Sequence, residues 1–275
     1  MTGARSTPGS GGALPRAARI LRSLACLVGL AVLPVRLPAQ IAVDRMELVF
    51  HPREATARSG VITLTNEGAK PVEAQLRLED WDRAEDGTNH WYPLGTLAGS
   101  CGPLLQLFPA SVLLEPGASQ TIRLAMDSTT APQAECWSAA VVETVQPRVV
   151  AGRSVSYLIR TAVKLYVVPS DASAEGEIAE MAVRPAPASG ADSLEVVFRN
   201  TGGRHLIAGG TLELRRGDNS VAAKVELPSL YALPGARSRT RVALPRLPAG
   251  RYVILAILDY GGDQLAAAQI EYEVP

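Results

Sequence analysis

The sequence predicts an all-β protein built as two β-sandwiches in tandem behind a targeting segment. Three observations carry this. Short apolar-alternating runs recur through the chain at intervals of about 8–12 residues, bounded by Gly, Pro, Asn and Asp, and no stretch of helical period interrupts them. A polar, small-residue segment, Pro169 to Glu177 (PSDASAEGE), divides the chain into two such sets. The first 40 residues are built differently from everything after them.

Residues 1–40 hold five arginines and no acid. Arg16, Arg19 and Arg22 form a basic entry to the apolar run Leu24 to Val35, which is short of the roughly 20 residues a spanning helix needs. Leu37-Pro38-Ala39-Gln40 resembles a cleavage site. Residues 1–40 therefore read as a Sec-type signal peptide, which places the mature protein in the periplasm without membrane insertion. Without that segment 22 basic and 27 acidic residues remain. A mildly acidic chain is a poor ligand for nucleic acid, where phosphate neutralisation needs clustered Lys and Arg. Cys26 leaves with the signal, and Cys101 and Cys136 remain as an even pair in an oxidising compartment. A disulfide between them is expected, against the alternative of two buried thiols. His51, His90 and His205 stand apart from one another with no metal-ligand spacing. No metal site, cofactor or catalytic constellation is expected, and no enzymatic activity.

The strands are read in order. Ile41–Phe50 is one strand. Gly60–Asn66 follows and turns at Asn66-Glu67-Gly68, then Pro71–Trp81. Asp82 to Gly102 reads as a long loop; the acidic residues Asp80, Asp82, Glu85 and Asp86 around its start lack the spacing of a calcium loop and read as solvated. Leu104–Leu114 is bent by Phe108-Pro109. Glu115-Pro116-Gly117 is a turn before Gln120–Met126, and Cys136–Val145 precedes the longest run, Arg153 to Val168. The second set comprises Leu194–Arg199, Gly209–Arg215, Ala222–Leu227, Arg239–Leu244, Arg251–Asp259 and Gln264–Val274. The halves echo each other: Asn66-Glu67-Gly68 against Asn200-Thr201-Gly202, and Glu115-Pro116-Gly117-Ala118 against Leu233-Pro234-Gly235-Ala236. Seven or so short strands in the first half and a second all-β set after the linker give two tandem immunoglobulin-like sandwich domains, residues 41–169 and 178–275, joined by a linker over 170–177.

Arg153 to Pro169 (RSVSYLIRTAVKLYVVP) exceeds the usual strand length of about 5–6 residues. Val155, Tyr157 and Ile159 share one face. Either they fill this protein's own core, or the strand serves a second partner in succession; the length, and an entry through Ala151-Gly152 from a long loop, favour the second. Lys164 interrupts the apolar half and needs an anionic neighbour.

At these residues the chain resembles the PapD-like periplasmic chaperones of pilus assembly. Val43-Asp44-Arg45 with Val49-Phe50, Leu64-Thr65-Asn66, Leu114-Glu115-Pro116-Gly117 with Ile122-Arg123-Leu124, and Lys164-Leu165-Tyr166 with Pro169 are similar to that family's motifs in order and spacing. The resemblance covers residues 41–169; the second half is similar only in being a sandwich at the right place. It implies a chaperone that binds pilus or fimbrial subunits by donating its long strand, through Val155, Tyr157 and Ile159, with an outer-membrane usher as further partner. It also implies that Lys164 grips a subunit's terminal carboxylate together with a first-strand arginine. That position here is Glu47, which departs from the family. Arg45, about 7 Å along the strand, and Arg160, on the face of Lys164, are the candidate substitutes, and an internal Glu47–Lys164 pair is the rival arrangement. The alternative function is an exported structural or adhesive protein of tandem sandwiches.

Overall fold

A computed structural model describes residues 40–127, 132–185 and 190–274. Residues 1–39, with Cys26 and almost all of the expected signal peptide, lie outside it. Among the described residues no helix is long and apolar enough to cross a membrane.

Among the described residues the first sandwich has ten strands: β1 (Ile41–Val43), β2 (Glu47–Phe50), β3 (Ser59–Asn66), β4 (Val72–Arg83), β5 (Asn89–Pro93), β6 (Leu105–Phe108), β7 (Ser111–Leu114), β8 (Ser119–Met126), β9 (Cys136–Val150) and β10 (Arg153–Val167). One sheet runs β1-β3-β8-β6; the facing sheet runs β2-β10-β9-β4-β5, with β7 also on β4. Inward side chains of both sheets, among them Ile62, Leu64, Ile122, Leu124, Val163 and Leu165, close the core.

The strand expected over Ile41–Phe50 is in fact two strands in different sheets. β1 pairs antiparallel with β3, whereas β2 pairs parallel with β10. The inward set shifts parity between them, from Ile41 and Val43 to Leu48 and Phe50, and a parity shift rotates a strand onto its other face. Asp44 holds the crossing by accepting a hydrogen bond from the Thr63 amide at 2.8 Å. The bend expected at Phe108-Pro109 is a second crossing: β6 pairs with β8, and β7 with β4.

Two other expectations are corrected. The loop assigned to Asp82 through Gly102 contains β5, which continues a hairpin with β4. Its polar composition hid the alternation, because its acids are structural: Asp80 accepts from Ser100 Oγ at 2.6 Å, Asp82 faces His90 and Tyr92, and Glu85 binds Arg239. The long loop before β10 does not exist. β9 and β10 pair continuously from Val167↔Cys136 to Arg153↔Val150 and are joined by Ala151-Gly152 alone. Both turn residues have positive φ, 49° and 77°, which matches strand twist in a two-residue hairpin but strains alanine. Ala151→Asn is expected to raise stability by about 0.5–1 kcal/mol, read as a higher urea midpoint at unchanged slope.

The second sandwich pairs β11 (Gly176–Arg184), β12 (Ser193–Asn200) and β15 (Arg237–Ala243) in one sheet. The other sheet runs β14 (Val221–Ala232), β13 (Leu206–Arg216), β16 (Gly250–Asp259), β17 (Ala266–Val274). β11 opens inside the small-residue linker stretch, whose composition hides its alternation. β14 runs past Leu227 because a register shift against β13 accommodates Pro228. The repeat seen in the sequence is a repeat of structure. Asn66 donates to Lys70 and Leu114 carbonyls, and Asn200 donates to Arg204 and Ala232 carbonyls. Each asparagine amide also donates to the turn opposite, at Ala118 and Ala236.

Candidate functional site

The site begins with the exposure of β10. Its core face reads Val155, Tyr157, Ile159, Thr161, Val163, Leu165, Val167 at period two. The last three are fully buried, Ile159 is half-buried, and Val155 and Tyr157 are 39% and 45% exposed. A strand that carries core residues into solvent at one end is uncommon in a finished sandwich. The pairing follows the same division. β9 flanks all of β10, but β2 flanks only Lys164–Val167. From Arg153 to Val163 no strand among the described residues lies along the other edge. On the opposite face Leu158 and its cross-strand partner Val145 are each 59% exposed.

Lys164 stands where the open edge ends. Its ammonium lies 4.3 Å from the ring centre of Trp81 and 4.5 Å from that of Tyr231 in the second sandwich, a cation–π enclosure. Burial holds its pKa below the usual lysine range, the charge of Arg83 pushes the same way, and Glu47 opposes both. Glu47 is its partner in the parallel ladder, yet the two side chains form no ion pair. The anionic neighbour expected of a buried lysine is thus present only at a distance, and aromatic faces take its place.

The other candidate cations lie elsewhere. Arg45 is bound to Asp44 at 3.0 Å. Arg160, on the same face as Lys164, pairs with Glu79 and with Glu143, which Arg77 also holds. The cation that the structure does bring to Lys164 is Arg83, the last residue of β4, whose guanidinium carbon is 5.5 Å from the Tyr231 ring centre. Reading Asp82–Gly102 as a loop concealed it; continuing the β4 alternation two residues past Trp81 would have placed Arg83 on the same face.

Around this point the two sandwiches join. Trp81, Ala139, Val141, Tyr166, Val168 and Leu233 form a separate buried cluster. The Tyr166 and Tyr231 hydroxyls are hydrogen-bonded, and burial pushes both phenols well above the usual tyrosine range. His205 stacks on Tyr166 with ring centres 4.1 Å apart, and its Nδ1 and backbone amide both meet the Glu135 carboxylate at 3.0 Å. On the other side of the joint, Arg239 donates its amide to the Glu85 carbonyl at 2.7 Å, and Arg237 lies 2.8 Å from the Glu85 carboxylate. Cys101 and Cys136 form the expected disulfide, which anchors the start of β9 next to Glu135. Among the described residues no cluster of His, Cys, Asp and Glu suits a metal ion.

No protein-family model matches the sequence, and no curated protein sequence matches it. Solved structures do. The class 5 fimbriae chaperone CfaA is 13% identical, covers 86% of this chain and 99% of its own, and superposes with a TM-score of 0.48. The CsuC–CsuE chaperone–tip adhesion subunit pre-assembly complex of archaic Csu pili from Acinetobacter baumannii matches at 14% identity over 84% and 98%, with a TM-score of 0.45. The E. coli chaperone DraB matches at 18% identity over 85% and 98%, with a TM-score of 0.40. The functional reading of this chain rests on its own β10 and Lys164.

Proposed function

We propose that the protein is a periplasmic chaperone that binds and stabilises pilus or fimbrial subunits by lending them β10, with residues 1–40 as the export signal and no enzymatic activity of its own. The observation that carries this is the open edge over Arg153–Val163, furnished on one face with core-type side chains. An unpaired edge is an aggregation hazard that folded proteins suppress with charge, proline or cover; here it presents Val155, Tyr157 and Ile159. Its use is strand addition, in which backbone hydrogen bonds give affinity and alternate side chains fill the partner's groove.

The polarity of the added strand follows from charge. β2 occupies the edge from Lys164 onward, so a guest strand stops there. A guest parallel to β10 brings its carboxylate to Lys164, and an antiparallel one brings an ammonium. The local cations favour the first. Lys164→Met is therefore expected to abolish capture of a co-expressed groove-bearing pilus subunit while leaving the fold intact, measured by pull-down of a tagged chaperone from periplasmic extract. Capture unchanged by Lys164→Met removes the carboxylate anchor. A wild-type protein recovered with no subunit at all favours an exported structural protein of tandem sandwiches.

A further inference from the structure

We infer that Arg83 is the second anion-binding residue of this cleft, positioned by Tyr231 of the second sandwich, so that the carboxylate site is complete only when both sandwiches are docked. The inference rests on the strand-lending reading above and names the group that shares its anchor.

Lys164 and Arg83 both lie over the Tyr231 ring, the ammonium at 4.5 Å and the guanidinium carbon at 5.5 Å from its centre. Two cations this close, in a partly desolvated place, repel each other unless an anion lies between them. Most acids on the neighbouring elements are already engaged. Glu135 holds His205, Asp82 holds His90 and Tyr92, Glu85 holds Arg237 and Arg239, and Asp80 accepts from Leu97, Ser100 and Ser138. Among the described residues Glu47 and Glu226 carry no ion pair, and Glu47, whose charge acts on Lys164, makes none with either cation. Arg83 donates Nη1 to Asn89 at 2.9 Å, while its buried Nε has no acceptor. A buried donor without a partner is costly and uncommon. One further carboxylate would supply the missing acceptor and relieve the repulsion together.

Arg83 arrives from β4 and Lys164 from β10, two strands that are not neighbours in the sheet. Lys164 lies over Trp81 and Tyr231, and Arg83 over Tyr231, so the two cations meet aromatic faces. A chain terminus leaving the open edge of β10 supplies the missing anion. Glu47 weakens the site by its charge, and its removal strengthens it.

The test uses the mature chain and a fluorescent peptide of alternating valine and serine, about ten residues long, made with a free C-terminal carboxylate and again as the amide. In the wild type the acid is expected to bind about tenfold more tightly than the amide, the effect of one charge-assisted hydrogen bond. Arg83→Gln is expected to lower the ratio severalfold at unchanged amide affinity, Arg83→Lys to restore most of it, and Glu47→Gln to raise it severalfold. A ratio kept by Arg83→Gln but lost by Lys164→Met overturns the role of Arg83 and leaves the anchor standing. Equal binding of acid and amide by the wild type overturns the anchor itself, and binding of neither peptide overturns strand lending. A ratio lost in both Arg83→Gln and Arg83→Lys, together with a lowered melting temperature, assigns Arg83 a purely structural role and overturns the inference.

Discussion

A chain carrying Val155→Asp and Ile159→Thr is expected to melt near the wild-type temperature and to capture no subunit. Val155 is exposed and Ile159 half-buried, so removing their apolar groups from the free protein costs at most about 1 kcal/mol. In a complex the same side chains enter an apolar groove. Burial of each is worth about 1.5–3 kcal/mol, and a carboxylate there adds a desolvation penalty. Together these weaken capture by at least about a hundredfold, at 1.4 kcal/mol per factor of ten. Pull-down and calorimetry on the same preparation separate the two effects. A melting temperature that collapses, with capture lost only in proportion to folded protein, would show that the two residues belong to this chain's own core.

The second large effect concerns the disulfide. Replacing Cys101 and Cys136 by serine is expected to destabilise the first sandwich by about 3–4 kcal/mol on the chain-entropy account, for a sequence separation of 35. Against the roughly 5–15 kcal/mol that hold an ordinary domain, this is a large share. Glu135, next to Cys136, carries the contact to His205. Loosening the start of β9 therefore also loosens the joint, and the thermal transition is expected to split as the second sandwich melts on its own. The same outcome should follow reduction of the wild type by dithiothreitol. A single transition at the original temperature in both cases would refute it.

Much of this architecture was legible because period-two alternation survives wherever one face of a strand is buried. Gly60–Asn66 and Gln120–Met126 needed nothing more, and the paired Asn and Pro-Gly turns announced the repeat. Legibility failed where the chain departs from that rule. The parity shift at Asp44–Met46 is visible in the sequence, but only the partners reveal that it moves the strand to another sheet. β5 carries His90 and Tyr92 bound to Asp82, so its polar residues mimic a loop. At the site, Lys164 and the run Val155, Tyr157, Ile159 came from pattern and resemblance. Arg83 did not, since its polar surroundings end the visible β4 alternation at Trp81 and its neighbour Tyr231 is 148 residues away.

β2 has a consequence of its own. By occupying the last four positions of β10, it leaves eleven of the fifteen without a second neighbouring strand among the described residues, and under the strand-lending proposal it acts as a ruler. At about 3.3 Å per residue in parallel pairing, a borrowed segment can extend roughly 36 Å before it meets the cations. Lengthening β2 by mutation would shorten the slot, and the clients admitted would be sorted by the length of strand they lack.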